Sequence, residues 1–140
     1  ISSAADAQRV LTDFAAAWTA GEAFFLGAFL RESDEFVAQI YVGVPQPALP
    51  EFEVGFFVDV AREGHGYVSE AVRAVLPFLF DHLDARRVRL ECDDTNKRSA
   101  RVAERCGFTL EGHLCENHLR PDGRVTGTLL YGKLAREHRN

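Results

Sequence analysis

The sequence predicts a mixed α/β fold built around one strand–loop–helix unit, and three observations carry that prediction. From Glu51 to Val60 apolar residues alternate, with Phe52, Val54, Phe56, Val58 and Val60 on one face and Glu53, Gly55, Phe57 and Asp59 on the other. Gly64 and Gly66 then interrupt the strand and allow a tight turn. From Tyr67 the period changes, with Val68, Ala71, Val72, Val75, Leu76 and Leu79 recurring at helical spacing. Four unpaired N–H groups and the positive end of the helix dipole face the loop, which makes it an anion site suited to phosphate.

The remaining elements follow in order. Ala4 to Ala20 carries a helical stripe of Ala7, Val10, Leu11, Phe14, Ala15 and Trp18, ended by Gly21. Ala23–Leu30 and Phe36–Val42 read as two strands joined by the polar R-E-S-D-E. Pro45, Pro47 and Pro50 mark a loop before the central strand. The helix after the glycines is expected to reach about Leu83 and to bend at Pro77, which lacks the N–H for a helical bond. Val88–Cys92 is a short strand, Asp93–Asn96 a polar loop, and Ser99–Cys106 a second helix stopped by Gly107. Phe108–Leu114 and Thr126–Leu134 are strands joined through the turn Pro121-Asp122-Gly123. No repeat or linker divides the chain, so residues 1–140 are expected to form one domain.

Composition narrows the function. The chain has 140 residues, 46% hydrophobic and 26% charged, the balance of an ordinary globular domain. A net charge of −5 argues against a general nucleic-acid binder. No apolar run is long enough to span a bilayer, so no membrane association is expected. The three cysteines, Cys92, Cys106 and Cys115, form no C-x-x-C pair, which points to a reducing, cytoplasmic setting without disulfides. Cys115, His113 and His118 lie close in sequence but lack a second spaced pair, so no metal is expected. The chain contains no Met, and it is expected to begin some way into its gene product.

The loop by itself admits several readings. A phosphate-binding G-x-x-x-x-G-K-[ST] loop fails because no Lys follows the glycines. A dinucleotide G-x-G-x-x-G fails where Ser69 replaces the third Gly. An ordinary turn capping a core helix stays open. Two further segments narrow the choice: N-K-R-S-A-R-V-A-E-R-C-G-F, Asn96 to Phe108, and T-L-E-G-H-L, Thr109 to Leu114. With F-E-V-G-F-F-V and G-H-G-Y-V-S-E-A before them, the chain resembles the GNAT superfamily of acetyl-CoA-dependent N-acetyltransferases. The likeness is to its ribosomal-protein N-terminal (RimJ/RimL-type) branch, over roughly residues 22–134.

The resemblance implies a central, mostly antiparallel sheet, splayed at the acetyl-CoA site and flanked by helices, with the family's first strand and helix lacking here. It implies that Glu63, Gly64, His65, Gly66, Tyr67 and Val68 form the pyrophosphate loop. Phe56, Phe57 and Val58 would lie along the pantetheine arm, with the Val58 N–H toward the thioester oxygen and Asn96 reaching the arm from the other side. Three departures stand out. Glu63 replaces the usual Gln or Arg, Val68 replaces a small residue, and Gly127 stands where many relatives carry Asp. The family's Tyr proton donor aligns with Ala103, and Ser99, one turn earlier, is the alternative donor to the leaving thiolate, or else a capping residue.

The nucleophile must be a neutral amine. Deprotonating a lysine of pKa about 10.4 at pH 7 costs about 4.6 kcal/mol, whereas an α-amine near about 7.8 costs about 1.1 kcal/mol. Glu53, on the strand face opposite the Phe52–Val58 stripe, is the first candidate base or an exposed strand carboxylate; Glu91 and Glu111 are further carboxylates. His65 suits phosphate contact more than base catalysis. The expected partner is a peptide or small-molecule amine, a ribosomal-protein N-terminus among them, with assembly open and a homodimer included. A non-catalytic acyl-CoA-binding domain and a nucleotide-binding domain are the competing readings.

Overall fold

The computed structural model describes residues 23–58 and 64–139. The helix expected over Ala4–Ala20, the strand end at Asp59 and Val60, and Glu63 lie outside the described residues. Six strands form one sheet: β1 (Phe24–Phe29), β2 (Phe36–Gln46), β3 (Glu51–Val58), β4 (Arg87–Asp93), β5 (Thr109–Leu119) and β6 (Val125–Leu134). Their order is β1-β2-β3-β4-β6-β5. Every neighbouring pair is antiparallel except β3 and β4. That pair is joined through helix α1 (Tyr67–Pro77), the long crossover that parallel strands require. Helix α2 (Lys97–Arg105) follows β4, and a short helix α3 (Ala135–His138) follows β6.

The period-two pattern of the central strand decides what it buries. Phe52 and Val54 turn into the core with Val88 and Leu90 of β4, all at 0–1% exposure. Onto this face α1 lays Val68, Val72, Val75 and Leu76, the stripe its spacing sets, and Ala103 and Cys106 bring in α2. Burying side chains of this size stabilises the fold by about 1.5–3 kcal/mol each.

Several boundaries differ from the sequence reading, each for a local reason. β2 runs on through Pro45 to Gln46, where a register shift after Gly43 lets the strand accommodate a residue without an N–H. The helix after the glycines does not simply bend at Pro77. Regular α-helix ends there, and Phe78–His82 form a π turn closed by Leu83 N–H to the Phe78 carbonyl at 3.2 Å. α2 begins at Lys97 rather than Ser99, because the Asn96 side chain caps it. β5 continues to Leu119. The turn at Asp122 and Gly123 is as expected, with Gly123 at φ 87°.

The other face of the sheet is charged, and one guanidinium organises it. Arg87 on β4 donates to Glu51 on β3 through Nε and to Glu111 on β5 through both terminal nitrogens, at 2.7 and 3.2 Å. Glu51 is 4% exposed. Glu111 is the extra residue of a bulge between Leu110 and Gly112, which re-aims its carboxylate across β6. β6 makes room with Gly132, where a Cβ would run into that carboxylate. One rung along, Arg89 binds Glu53 at 2.7 and 2.9 Å. The Glu111 bond, against burial and with Glu51 adding to it, raises the Arg87 pKa further above its ordinary value.

Gly132→Ala should therefore push Glu111 off Arg87 and lower unfolding stability by about 1–3 kcal/mol in urea titration. In a Glu111→Ala background the same change should cost less than about 0.5 kcal/mol, since nothing remains to displace. The Arg87 bond also holds the Glu111 carboxyl below its ordinary pKa, and the hydroxyls of Thr126 and Thr95 do the same for Asp93. Both groups contribute stability that is present above their unfolded pKa values of about 4 and is lost as pH falls through the lower folded values. Urea titrations from about pH 6 to about pH 2 should show that loss, and Glu111→Gln should make it shallower.

Candidate active site

The site begins where two strands part. β3 and β4 are in register over three pairs only, Glu51 with Arg87, Phe52 with Val88 and Glu53 with Arg89. Beyond them β3 stays with β2 as far as Val58 opposite Ala38, and β4 stays with β6 as far as Asp93 opposite Thr128. Each strand is held by its outer neighbour, so the gap opens between them. The inner edge of Val54–Val58 thus faces a cleft with backbone groups that a ligand can pair.

Two helix starts close the cleft. Gly66 caps α1 in the left-handed region at φ 76°, and Gly64 before it has φ 83°. A Cβ at either would meet nothing within 4 Å, so the backbone conformation, not crowding, demands glycine. The Gly66 carbonyl accepts the first helical bond from Glu70 N–H at 3.0 Å, which leaves the N–H groups at the start of α1 for a ligand. Ser69, in the first turn, is 3% exposed, lines the cleft, and its Oγ has no hydrogen-bond partner. A buried hydroxyl is nearly always paired, which singles Ser69 out on this wall. On the opposite wall Asn96 caps α2, its Oδ1 accepting from Ser99 N–H at 3.1 Å.

The resulting cleft has a volume of about 480 Å³. It brings together Phe56, Phe57 and Val58 from the strand edge, Gly64, Gly66, Tyr67 and Val68 from the loop, and Asn96 and Ser99 from α2. Two sequence candidates stand elsewhere, and a third is outside the described residues. His65 is exposed and stacks on the Tyr67 ring at 5.4 Å without lining the cleft. Glu63 lies outside the described residues. Glu53 belongs to the three-pair segment, where its Oε2 takes both Arg89 bonds. Ala103, one turn after Ser99, turns into the core at 0% exposure, and Val102 takes the place beside Ser99 on the wall.

Other residues came to light only in the structure. Ser69 looked like a failed third glycine, yet its position in the first helical turn was a signal. Arg98, Arg101 and Arg105 line the cleft at spacings of three and four, a stripe visible in K-R-S-A-R-V-A-E-R. Gly127 lies where a Cβ would collide with the Asp94 carboxylate, the Leu114 carbonyl and the His113 ring, which are joined by a His113–Asp94 bond of 2.9 Å. That bond lowers the Asp94 pKa. Cys106 is buried with its thiol pKa raised by burial and its Sγ donating to the Ser69 carbonyl, a packing role. Among the described residues no cluster of three metal-ligating side chains occurs, and no helix is long and apolar enough to cross a membrane.

Residues 1–109 match the family described as acetyltransferase (GNAT) domain. The chain is 29% identical over 106 residues to the probable N-acetyltransferase YjcK of Bacillus subtilis, covering 75% of this chain and 59% of that protein. It is 31% identical over 83 residues to the ribosomal-protein-serine acetyltransferase of Escherichia coli, covering 59% of this chain and 46% of that protein. The chain thus spans roughly half the length of these curated relatives. The crystal structure of the ribosomal-protein-S5-alanine acetyltransferase from Vibrio fischeri superposes with a TM-score of 0.75 at 19% identity, covering 91% of this chain and 69% of that one. It shares the fold.

Ser69→Ala separates a ligand group from a structural one. Removing an unpaired buried hydroxyl should leave thermal stability of the unliganded protein unchanged or slightly raised. CoA affinity measured by calorimetry should fall about tenfold, or about 1.4 kcal/mol.

Proposed function

The chain belongs to the acetyltransferase (GNAT) domain family, and from that membership we propose that it binds acetyl-CoA in the cleft and transfers the acetyl group to a primary amine. The observation that carries this reading is the cleft itself: an unpaired strand edge, a helix start without a side-chain cap and a buried hydroxyl without a partner on one concave surface. These groups match an elongated ligand with amides at one end and phosphates at the other. Bound acetyl-CoA supplies a thioester carbonyl, which a neutral amine attacks with release of the CoA thiol.

The chain's own residues divide the work. The N–H groups of Gly64–Val68 and the Ser69 hydroxyl hold the pyrophosphate at the positive end of α1. The edge Phe56–Val58 binds and orients the pantetheine arm, and the Val58 N–H is aimed at the thioester oxygen, where negative charge grows. Asn96 keeps its amide N–H₂ for the arm, since its Oδ1 is committed to the Ser99 N–H. Ser99, held in the first turn of α2, donates its hydroxyl proton toward sulfur. Glu53 does not line the cleft, so as the proposed base it takes the amine proton at Oε1 through a water relay, with Arg89 fixing Oε2.

An α-amine is the acceptor class that asks least of such a base. The names of two relatives, a ribosomal-protein-serine and a ribosomal-protein-S5-alanine acetyltransferase, support a protein acceptor, and a protein N-terminus acetylated in the cytoplasm is the form of it proposed here. A non-catalytic acyl-CoA-binding role is the second reading, favoured by Ala103 lying in the core where the family places its Tyr donor.

Incubation with acetyl-CoA and a panel of amines, read by free thiol and by the mass of acetylated product, decides between them. Turnover with an α-amine peptide supports transfer; calorimetric binding without turnover on any amine supports the second reading. Ser99→Ala should lower kcat by about 10²–10³, or about 2.7–4 kcal/mol, with KM for acetyl-CoA unchanged. An unchanged kcat would return Ser99 to its place as a capped-turn residue.

A further inference from the structure

The wall of the cleft opposite the glycine loop carries a chemistry that the pyrophosphate contacts do not use. α2 turns Arg98, Arg101 and Arg105 toward the cleft as one stripe, because residues three and four apart share a helix face. From Arg98 to Arg105 the stripe runs about 10 Å, beginning beside the Asn96 cap. Guanidinium groups presented together repel one another unless an anion lies between them.

The arginines of the sheet region are treated differently. Arg87, Arg89, Arg120 and Arg124 each have a carboxylate within 4 Å. Among the described residues no carboxylate pairs with Arg101 or Arg105, in a chain whose acidic residues outnumber its Lys and Arg by 21 to 16. Two guanidiniums with no carboxylate partner among the described residues, on the wall of a concave site in an acidic protein, mark a place where the ligand brings the negative charge. The planar fork of an arginine matches two phosphate oxygens at once. The first phosphate position is already served from the other wall by the α1 N–H groups and Ser69.

We infer that Arg101 and Arg105 bind a second phosphate of the same ligand, the 3′-phosphate on the ribose of CoA, and so select CoA over its 3′-dephospho form. This rests on the acetyl-CoA reading above and adds a specificity to it. No bond is made or broken by the step; it is recognition of charge.

Calorimetry of the whole chain with CoA and with 3′-dephospho-CoA tests it. Wild type should prefer CoA by about tenfold or more, the worth of one charge-assisted pair. In Arg101→Gln/Arg105→Gln that preference should shrink to about threefold or less, while affinity for 3′-dephospho-CoA stays as in wild type. Both positions are exposed, so the variant should melt with wild type. Arg101→Lys/Arg105→Lys, which keeps charge without the fork, should recover part of the preference. Equal binding of both ligands by wild type, or equal loss of both by the Gln variant, overturns the inference and leaves the acetyl-CoA reading standing. Failure of both ligands to bind wild type overturns both.

Discussion

The guanidinium of Arg87 ties together three strands at the point where the sheet divides. It rises from β4, reaches Glu51 on β3, and meets Glu111 on β5 over the bare backbone of Gly132 on β6. A buried carboxylate such as Glu51 is costly without a partner, so the pairing is a condition for this face to exist. Charge-assisted bonds at three carboxylate oxygens hold the vertex rigid. From that fixed vertex two parallel strands can diverge without the sheet unravelling, because β2 and β6 each hold one of them.

Divergence creates the cleft, and the helix starts give it polarity. An unpaired strand edge inside a fold is normally a liability, since its backbone groups ask for partners. Here the edge lies between two helix N-termini, which is why the partner we propose for it is elongated and anionic. α1 contributes N–H groups exposed by a left-handed glycine cap, and α2 contributes a side-chain cap with arginines behind it. Val54, Val68 and Leu90, all buried, belong to the core that packs α1 against the strands.

The same constraint gives meaning to residues that local patterns left mute. The pair Glu111-Gly112 was recognisable as a family marker, yet nothing near it in sequence says what it does. In the fold Glu111 is a bulge residue whose partner lies 24 positions earlier. Gly127 read as a departure from relatives, and it proves to be the close-approach point under the His113–Asp94 bond. Ser69 read as an imperfection in a glycine pattern, and in the structure it places a buried hydroxyl with no hydrogen-bond partner on the cleft wall.

By itself the sequence determined the mixed α/β class, the strand–glycine loop–helix unit, the family, and Phe56–Val58, Gly64, Gly66, Tyr67, Val68, Asn96 and Ser99 as residues that line one cleft, while His65 of the same loop lies outside it. These are written in periodicities and turn chemistry, which act over a few residues and so leave a local trace. Its boundaries erred where a local trace was overridden: a bulge admitted Pro45 to a strand, and an Asn96 cap began a helix two residues early. Only the tertiary structure decided that β3 and β4 part after Glu53, that Glu53 is bound to Arg89, that Ala103 faces the core, and that three arginines line a wall of the cleft. Each of these depends on which groups, 24 or 36 positions apart, come within hydrogen-bond distance. That is fixed by how the strands are ordered and packed, and no short-range pattern in the chain encodes it.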